Sequence, residues 1–301
     1  MQIGIDLGAT KVEYVLLDNT NKEIERSRVE TPKNFSDTIK LISEIVQKLE
    51  KKYKTSFVIG ICHPGNLDSS TGLIKNAHNS QWLNNKSLIK ELKTKINNDI
   101  FSENDANCFT LSESLDGAAR HYNNVFGIIL GSGCGGGLVI NKKIVSGANG
   151  LGGEWSLNQM PINKVRSNIE YDETFDFSKR IEGYLSGKSI EKNFYSLFNK
   201  KLSAKEIFSE YRKKNENAVN FIEKYKEHLA RSLVIIVSTI DPDAIVFGGG
   251  ISNEIDFLNE LKDKTSKYLN EKDLKTVFLK PIYGDASGVR GAALLGRQNL
   301  T

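Results

Sequence analysis

Cysteine is scarce in this chain. Cys62, Cys108 and Cys134 are the only three among 301 residues, odd in number and far apart. That excludes a disulfide framework and points to reduced thiols in a cytoplasmic protein. Long apolar runs are missing as well. None approaches the roughly 18 residues of a bilayer span, so no membrane partner is expected. The chain enters an apolar segment at once, without the basic region, apolar core and cleavage site of a secretory leader. Charge of one sign is lacking too. With 41 basic and 37 acidic residues the net charge is only +4. No arm or stripe is purely basic, so nucleic acid is not an expected partner. The four histidines, His63, His78, His121 and His228, have no metal-ligand spacing to one another or to a cysteine. No stretch rich in proline or serine marks a linker. The length suits one large or two medium domains, packed closely.

What is present is an alternation of short apolar runs and helical periodicities. The spacing predicts strands over Gln2–Asp6, Val12–Asp18 and Glu25–Glu30, then a helix from Asn34 to Tyr53. SFVIGICHPG reads as a buried strand ending in a Pro-Gly loop. SLIKELKTKI reads as a helix, and NDIFSENDAN as a strand running into a loop. A βββαβαβ order results and then restarts. VFGIILG, GGLVINK and KKIVSG form a second hairpin set, with helices from Ile181, Ala204 and Asn215. DPDAIVFGGGIS is strand, glycine turn and helix start, and VRGAALLGR closes the chain as a helix. Two α/β halves, each opening on a glycine-turn hairpin, imply a duplicated architecture. A cleft between such halves is where ligands are expected.

Three glycine turns carry the chemistry. In IDLGATK, Asp6 ends an apolar strand before Gly8, Thr10 and Lys11. Backbone N–H groups with a hydroxyl and an ammonium suit phosphate, and the carboxylate suits Mg²⁺. An ordinary hairpin capped by its own aspartate is the alternative. GSGCGGG, with Ser132 and Gly133, has more glycine than a hairpin needs, and FGGGIS brings Gly249 and Gly250. None fits the P-loop or dinucleotide-fold pattern, so a nucleotide would be held by hairpins. SENDANCF places Asn104 and Asp105 after a strand. Asp105 could take a proton from a bound hydroxyl that Asn104 positions, or the pair could simply cap a helix beginning near Cys108. Glu154 and Glu182, each in a Gly-containing loop beside an aromatic, could grip vicinal hydroxyls or be solvated loop acids.

Together, IDLGATK, HPGNLDSSTG, NAHNSQWL, NDAN, LGSGCGGG, GANGLGGEW, DPDAIVFGGGIS and GDASGVRGAA resemble the ROK family of sugar kinases. The likeness covers essentially the whole chain and is greatest to bacterial fructokinases and N-acetylglucosamine kinases. It implies an α/β fold of two actin-like ATPase (ribonuclease H-like) domains with a cleft between them. The expected domains are 1–113 plus 290–301, and 114–289. It implies an ATP-dependent, Mg²⁺-requiring kinase acting on the 6-hydroxyl of fructose, glucose, mannose or an N-acetylhexosamine, working as a cytoplasmic homodimer. Asp105 would be the general base. Gly65, Asn66, Asn104, Glu154 and Glu182 would hold the sugar with it. Asp6, Gly8, Thr10 and Lys11 would bind phosphate, with Mg²⁺ held through Asp6, by water. Ser132, Gly133 and the glycines after them would bind phosphate, and Gly249 and Gly250 would approach the adenosine.

The chain departs from the family at its zinc motif. Ser156-Leu157 stands where Gly-His is usual, and no Cys or His occurs from Trp155 through Glu182. A tetrahedral structural site needs four such ligands, so no structural zinc is expected. Apolar packing by Phe175, Phe177 and Tyr184 is expected to support Glu182 instead. The departure leaves a catalytically silent sugar sensor as the alternative function. A repressor would need a DNA-binding segment before the first strand. A chaperone-like ATPase of the same fold would lack NDAN and the paired glutamates.

Overall fold

The computed structural model describes residues 1–161 and 179–298. The first strands are β1 (Gln2–Leu7), β2 (Lys11–Leu17) and β3 (Glu23–Glu30), followed by helix α1 (Phe35–Tyr53). Next come β4 (Val58–His63), the two-residue strands β5 (Asn66–Leu67) and β6 (Ile74–Lys75), helix α2 (Leu88–Leu92), β7 (Ile100–Asn104) and α3 (Asp105–Leu115). A second strand set follows, β8 (Val125–Leu130), β9 (Cys134–Ile140) and β10 (Lys143–Ile144). Helices α4 (Glu182–Leu185), α5 (Gly187–Phe198), α6 (Ala204–Arg212) and α7 (Glu216–Ile240) come after it. The chain closes with β11 (Ala244–Gly248), α8 (Gly250–Glu254), α9 (Leu258–Leu269), β12 (Val277–Leu279) and α10 (Ser287–Gln298). The β5–β6 hairpin was not expected, and the helix expected over SLIKELKTKI shrinks to α2.

The first sheet has the order β3-β2-β1-β4-β7. Strand β1 is antiparallel to β2 and parallel to β4, which is parallel to β7. Alternation along β1 and β4 sends Ile3, Ile5, Leu7, Ile59 and Ile61 to one face, where they join Ile39, Ile42, Val46 and Leu49 of α1. The other face is nearly bare at Gly4 and Gly60, and α10 lies against it. A Cβ on Gly60 would fall 1.7 Å from the carbonyl oxygen of Ala292. Helix α1 is capped by Asn34, whose side chain accepts from the Asp37 N–H at 2.9 Å, and ends at Lys54 in the left-handed region (φ 51°). The edge strand β3 is largely exposed and reads EIERSRVE. Arg26 and Arg28 reach the buried Glu13 of β2, and such charge on an edge discourages pairing with another chain.

The second sheet has the order β10-β9-β8-β11-β12. Strand β11 is wholly buried and runs parallel to β12. Helix α7 starts at the Asn215 cap and stops at Asp241 (φ 48°), just before Pro242. No described helix is long and apolar enough to cross a membrane.

The chain divides into two compact units. One holds residues 1–127 and 137–153 with the described residues from Pro281 onward. The other holds 128–136 and the described residues of 154–280. The borders expected from sequence would instead have put residues 114–127, 137–153 and 281–289 in the second domain. Two features of the first unit explain the difference. Glycines let α3 approach closely: Cβ atoms at Gly127, Gly137 and Gly291 would lie 2.0, 2.3 and 1.7 Å from Thr110 Oγ1, Ala106 O and Cys108 O. The buried Glu113 carboxylate then grips the segment before α10. It accepts the Ile282 N–H at 3.1 Å and the Ser287 hydroxyl at 2.6 Å.

Candidate active site

In the first unit, the candidate residues gather at the carboxyl ends of β1, β4 and β7, the end of an α/β sheet where ligands bind. Register places Asp6 beside Cys62, and Cys62 beside Glu103, on the face that α10 covers. A Cβ at Gly288 would sit 3.7 Å from Asp6 Oδ2 and 3.9 Å from Cys62 Sγ. Burial pushes the Asp6 carboxyl up to about 6, with Glu13 adding to the rise while the Cys62 thiol and Arg28 oppose it. The hydrogen bond with Cys108, burial and the charges of Asp6 and Asp105 push the Cys62 thiol well up. Burial raises Cys108, with Glu103, Asp105 and Asp6 adding to it while the hydrogen bond from Cys62 opposes it. Asp6 therefore hydrogen-bonds a buried thiol pair on which the charges of both aspartates act.

The turn after Asp6 is closed by Gly8 N–H donating to Lys11 O at 3.0 Å and is held from outside. The Thr31 hydroxyl donates to Gly8 O at 2.8 Å, and Lys33 Nζ to Ala9 O at 2.6 Å. Thr10 and Lys11 are exposed. Gly8 does not occupy the left-handed region. Its need for glycine is close approach, because a Cβ would lie 2.9 Å from Lys11 O.

At the end of β7, Asn104 takes the helix-capping role and also fixes the Pro-Gly loop. Its Oδ1 accepts the Ala106 N–H at 2.9 Å, capping α3, and its Nδ2 donates to Gly65 O at 2.9 Å. The helix thus begins three residues earlier than expected, with Asp105 exposed as its first residue. A helix N-terminus favours an anion there. Gly65 takes φ +85° over the Lys75 carbonyl. Asn66 is buried, and its Nδ2 donates to Gly150 O at 2.8 Å. Glu103 was not anticipated. It accepts the Asn104 N–H at 2.8 Å and Asn107 Nδ2 at 3.2 Å, bracing the start of α3. The signal for it was a run of polar residues, Ser102 to Asn104, closing an otherwise apolar strand. His63, at the end of β4, is fully buried. Burial holds its imidazole below the usual range. Its Nδ1 faces Pro64 O at 3.2 Å, and its Nε2 has no partner among the described residues. A buried acceptor left in that state costs about 1–3 kcal/mol.

In the second unit, the glycine turn before β9 is closed by Gly131 N–H donating to Gly133 O at 3.0 Å. It is bound to the start of α5 by Gly187 N–H donating to Gly131 O at 2.7 Å. Trp155 Nε1 donates to Gly135 O at 3.0 Å. Ser132 and Gly133 are exposed. Glu182 Oε1 lies 3.1 Å from where a Gly133 Cβ would be. Burial first, and then the charges of Glu182 and Glu154, push the Cys134 thiol well up. Gly249 (φ +85°) packs on Leu130 O, whereas a Cβ on Gly250 would meet nothing within 4 Å among the described residues. Gly131 is equally unconstrained. The fold does not require glycine at these two positions, which suits close approach of a nucleotide to the backbone. Gly137, by contrast, is required for packing on α3.

Glu182 is the first residue of α4, rather than part of a loop. The segments beside the two glutamates are stitched together by backbone. Gln159 and Arg180 form an antiparallel bridge, Met160 N–H donates to Lys179 O at 2.8 Å, and Ile181 N–H to Asn158 O at 2.9 Å. Tyr184 meets His228 edge-on with ring centroids 4.9 Å apart. Phe175 and Phe177 lie outside the described residues. Among the described residues no group of three or more His, Cys, Asp or Glu is arranged to hold a metal.

A family model described as the ROK family matches residues 2–299. The chain is similar to an N-acetyl-D-glucosamine kinase of Histophilus somni, with 35% identity over 303 residues covering 98% of each. It is also similar to the enzyme of that name from Mannheimia succiniciproducens, with 36% identity covering 98% of this chain and 99% of the relative. Its fold matches that of a ROK hexokinase from Thermus thermophilus, TM-score 0.86 at 22% identity, covering 99% of this chain and 98% of that one. A ROK family glucokinase from Streptomyces griseus, solved with glucose and AMPPNP, matches with TM-score 0.76 at 23% identity, covering 99% of each.

Proposed function

This chain belongs to the ROK family, and from that premise we propose that it phosphorylates N-acetyl-D-glucosamine at the 6-hydroxyl, using ATP. That it is a sugar kinase follows from relatives of that activity matched over nearly the whole chain. The observation that carries the substrate is that those relatives are named for one sugar, N-acetyl-D-glucosamine. The likeness to fructokinases expected from sequence adds no support for fructose beyond the shared family.

In this proposal Asp105 takes the proton of the 6-hydroxyl as its oxygen attacks the γ-phosphorus. The β–γ bridging bond breaks and ADP leaves. Gly65, Asn66, Asn104, Glu154 and Glu182 hold the sugar, Asn66 through the loop its buried side chain fixes. Gly8, Thr10, Lys11, Ser132 and Gly133 bind phosphate, and Gly249 and Gly250 the adenosine. Asp6 offers a hard oxygen donor whose ionised form a cation would restore, so it fits Mg²⁺. When bound, Mg²⁺ offsets negative charge on the phosphates. The working form in this proposal is a cytoplasmic homodimer with no structural zinc, which the family resemblance and the missing zinc ligands support.

The test is ADP release with Mg·ATP against N-acetylglucosamine, N-acetylmannosamine, glucose, mannose and fructose, with and without a zinc-selective chelator. N-acetylglucosamine is expected to give a kcat/KM at least tenfold above the others, unchanged by chelation. A higher value for another sugar would replace the substrate. Sugar-dependent melting without turnover on any of them would favour the silent sensor.

Gly250 gives a second check. Gly250→Ala adds a methyl group to open space and is expected to leave Tm within about 1 °C, because no overpacking arises. It should raise KM for ATP about tenfold and leave KM for sugar alone. An unchanged KM for ATP would remove Gly250 from the nucleotide site.

A further inference from the structure

We propose that His63 is a positioning residue for the sugar site, acting by donating its Nδ1–H to the Pro64 carbonyl and so orienting the Pro64–Gly65 peptide. The proposal rests on the kinase reading above. The ring lies at the end of β4, in register with Asn104, and the two side chains point to the same face of the sheet. On that face Ile61 precedes it and belongs to a core cluster with Ile74, Ala77 and Leu83. A leucine of similar volume would fill such a place without burying a polar atom. Instead an imidazole stands there with Nε2 unpartnered among the described residues and Nδ1 3.2 Å from Pro64 O. One nitrogen is left unsatisfied and the other is used, so the used one is the reason for the histidine.

What Nδ1 holds is a peptide with little freedom of its own. The next residue, Gly65, is fixed at φ +85°, where a Cβ would lie 2.3 Å from Lys75 O and 2.8 Å from Ala77 N. Its carbonyl accepts from Asn104 Nδ2 at 2.9 Å, and Asn104 caps the helix that begins with Asp105. A rotation of the Pro64–Gly65 peptide would therefore be felt at Asn104 and at the loop carrying Asn66. The tautomer follows: the proton sits on Nδ1, and Nε2 carries the lone pair.

The experiment compares His63→Leu, His63→Asn and His63→Gln. Asparagine keeps a donor near the Nδ1 position, and glutamine places one near Nε2. Kd for N-acetyl-D-glucosamine is measured by calorimetry without ATP, together with KM for ATP, kcat and Tm. His63→Leu is expected to weaken sugar binding about tenfold, with KM for ATP within twofold and Tm equal or higher. His63→Asn should restore Kd to within about threefold, and His63→Gln should not. Rescue by Gln and not by Asn would overturn the assignment, making Nε2 the operative atom. So would an unchanged Kd in His63→Leu, or a fall in Tm with all kinetic constants worsened together, the mark of a packing role alone. A wild-type chain that binds and phosphorylates no hexose would instead overturn the kinase reading itself.

Discussion

Asp105→Asn is expected to lower kcat for sugar phosphorylation about a thousandfold while sugar affinity changes by less than about threefold. Asparagine is nearly isosteric and can still accept the Ala106 N–H that Asp105 Oδ1 now accepts at 2.8 Å. The start of α3 is fixed independently of this side chain, by the Asn104 cap and by Glu103. The substitution therefore removes proton-accepting capacity and little else. Quenched-flow or coupled ADP release gives kcat, and calorimetry gives sugar Kd on the same preparation. A kcat within tenfold of wild type would refute the general-base role. Loss of sugar binding as well would make Asp105 chiefly a sugar ligand.

Asp6→Asn is expected to separate stability from activity in opposite directions. Burial raises the Asp6 carboxyl from 3.8 to about 6. Between those values the folded protein binds the extra proton, so the contribution of this group to stability declines as pH rises through the window. Above it the ionised carboxylate is a standing penalty of roughly 3 kcal/mol at most. Removing the charge should raise Tm by a few degrees at pH 8 and have little effect at pH 4. Mg·ATP-dependent turnover should fall at least about a hundredfold, because the anionic oxygen is replaced by a neutral amide carbonyl. Calorimetric melts at the two pH values, with kcat/KM for Mg·ATP, decide it. A Tm that falls equally at both pH values would show that Asp6 stabilises the fold. Unimpaired turnover would free it of the metal role. The arrangement is the usual trade of stability for function at a site.

The strands around Asp6 and Asp105 were legible because period-two alternation and polar termini are local properties. Ile3 and Ile5 against Gly4 and Asp6 announce a two-faced strand, and NDAN after an apolar run announces a capped helix. The helix start was misplaced by three residues because cap geometry depends on where Asn104 points, which Gly65, thirty-nine positions earlier, helps to decide. The β5–β6 hairpin escaped notice because two-residue strands have no period to read. Glu113 showed nothing in sequence, since its importance lies in backbone N–H groups 169 and 170 positions away. Of the aromatic side chains expected to support Glu182, Phe175 and Phe177 lie outside the described residues, and the backbone bridge that the described residues add has partners with no side-chain signature.

The sequence by itself determined the family, the order of the main elements, the carboxylates and glycine turns proposed to carry the chemistry, and the absence of a zinc ligand set between Trp155 and Glu182. Those are matters of residue type and spacing, and spacing along a chain is all that a motif records. Only the tertiary structure decided which glycines serve packing and which face open space. It decided that Asp6, Cys62 and Cys108 are linked by hydrogen bonds, that His63 has one satisfied nitrogen and one without a partner among the described residues, and that residues 281–289 belong with the first unit. The reason is common to all four. Each depends on the distance between atoms remote in sequence, and such distances exist only after the sheets and helices have packed.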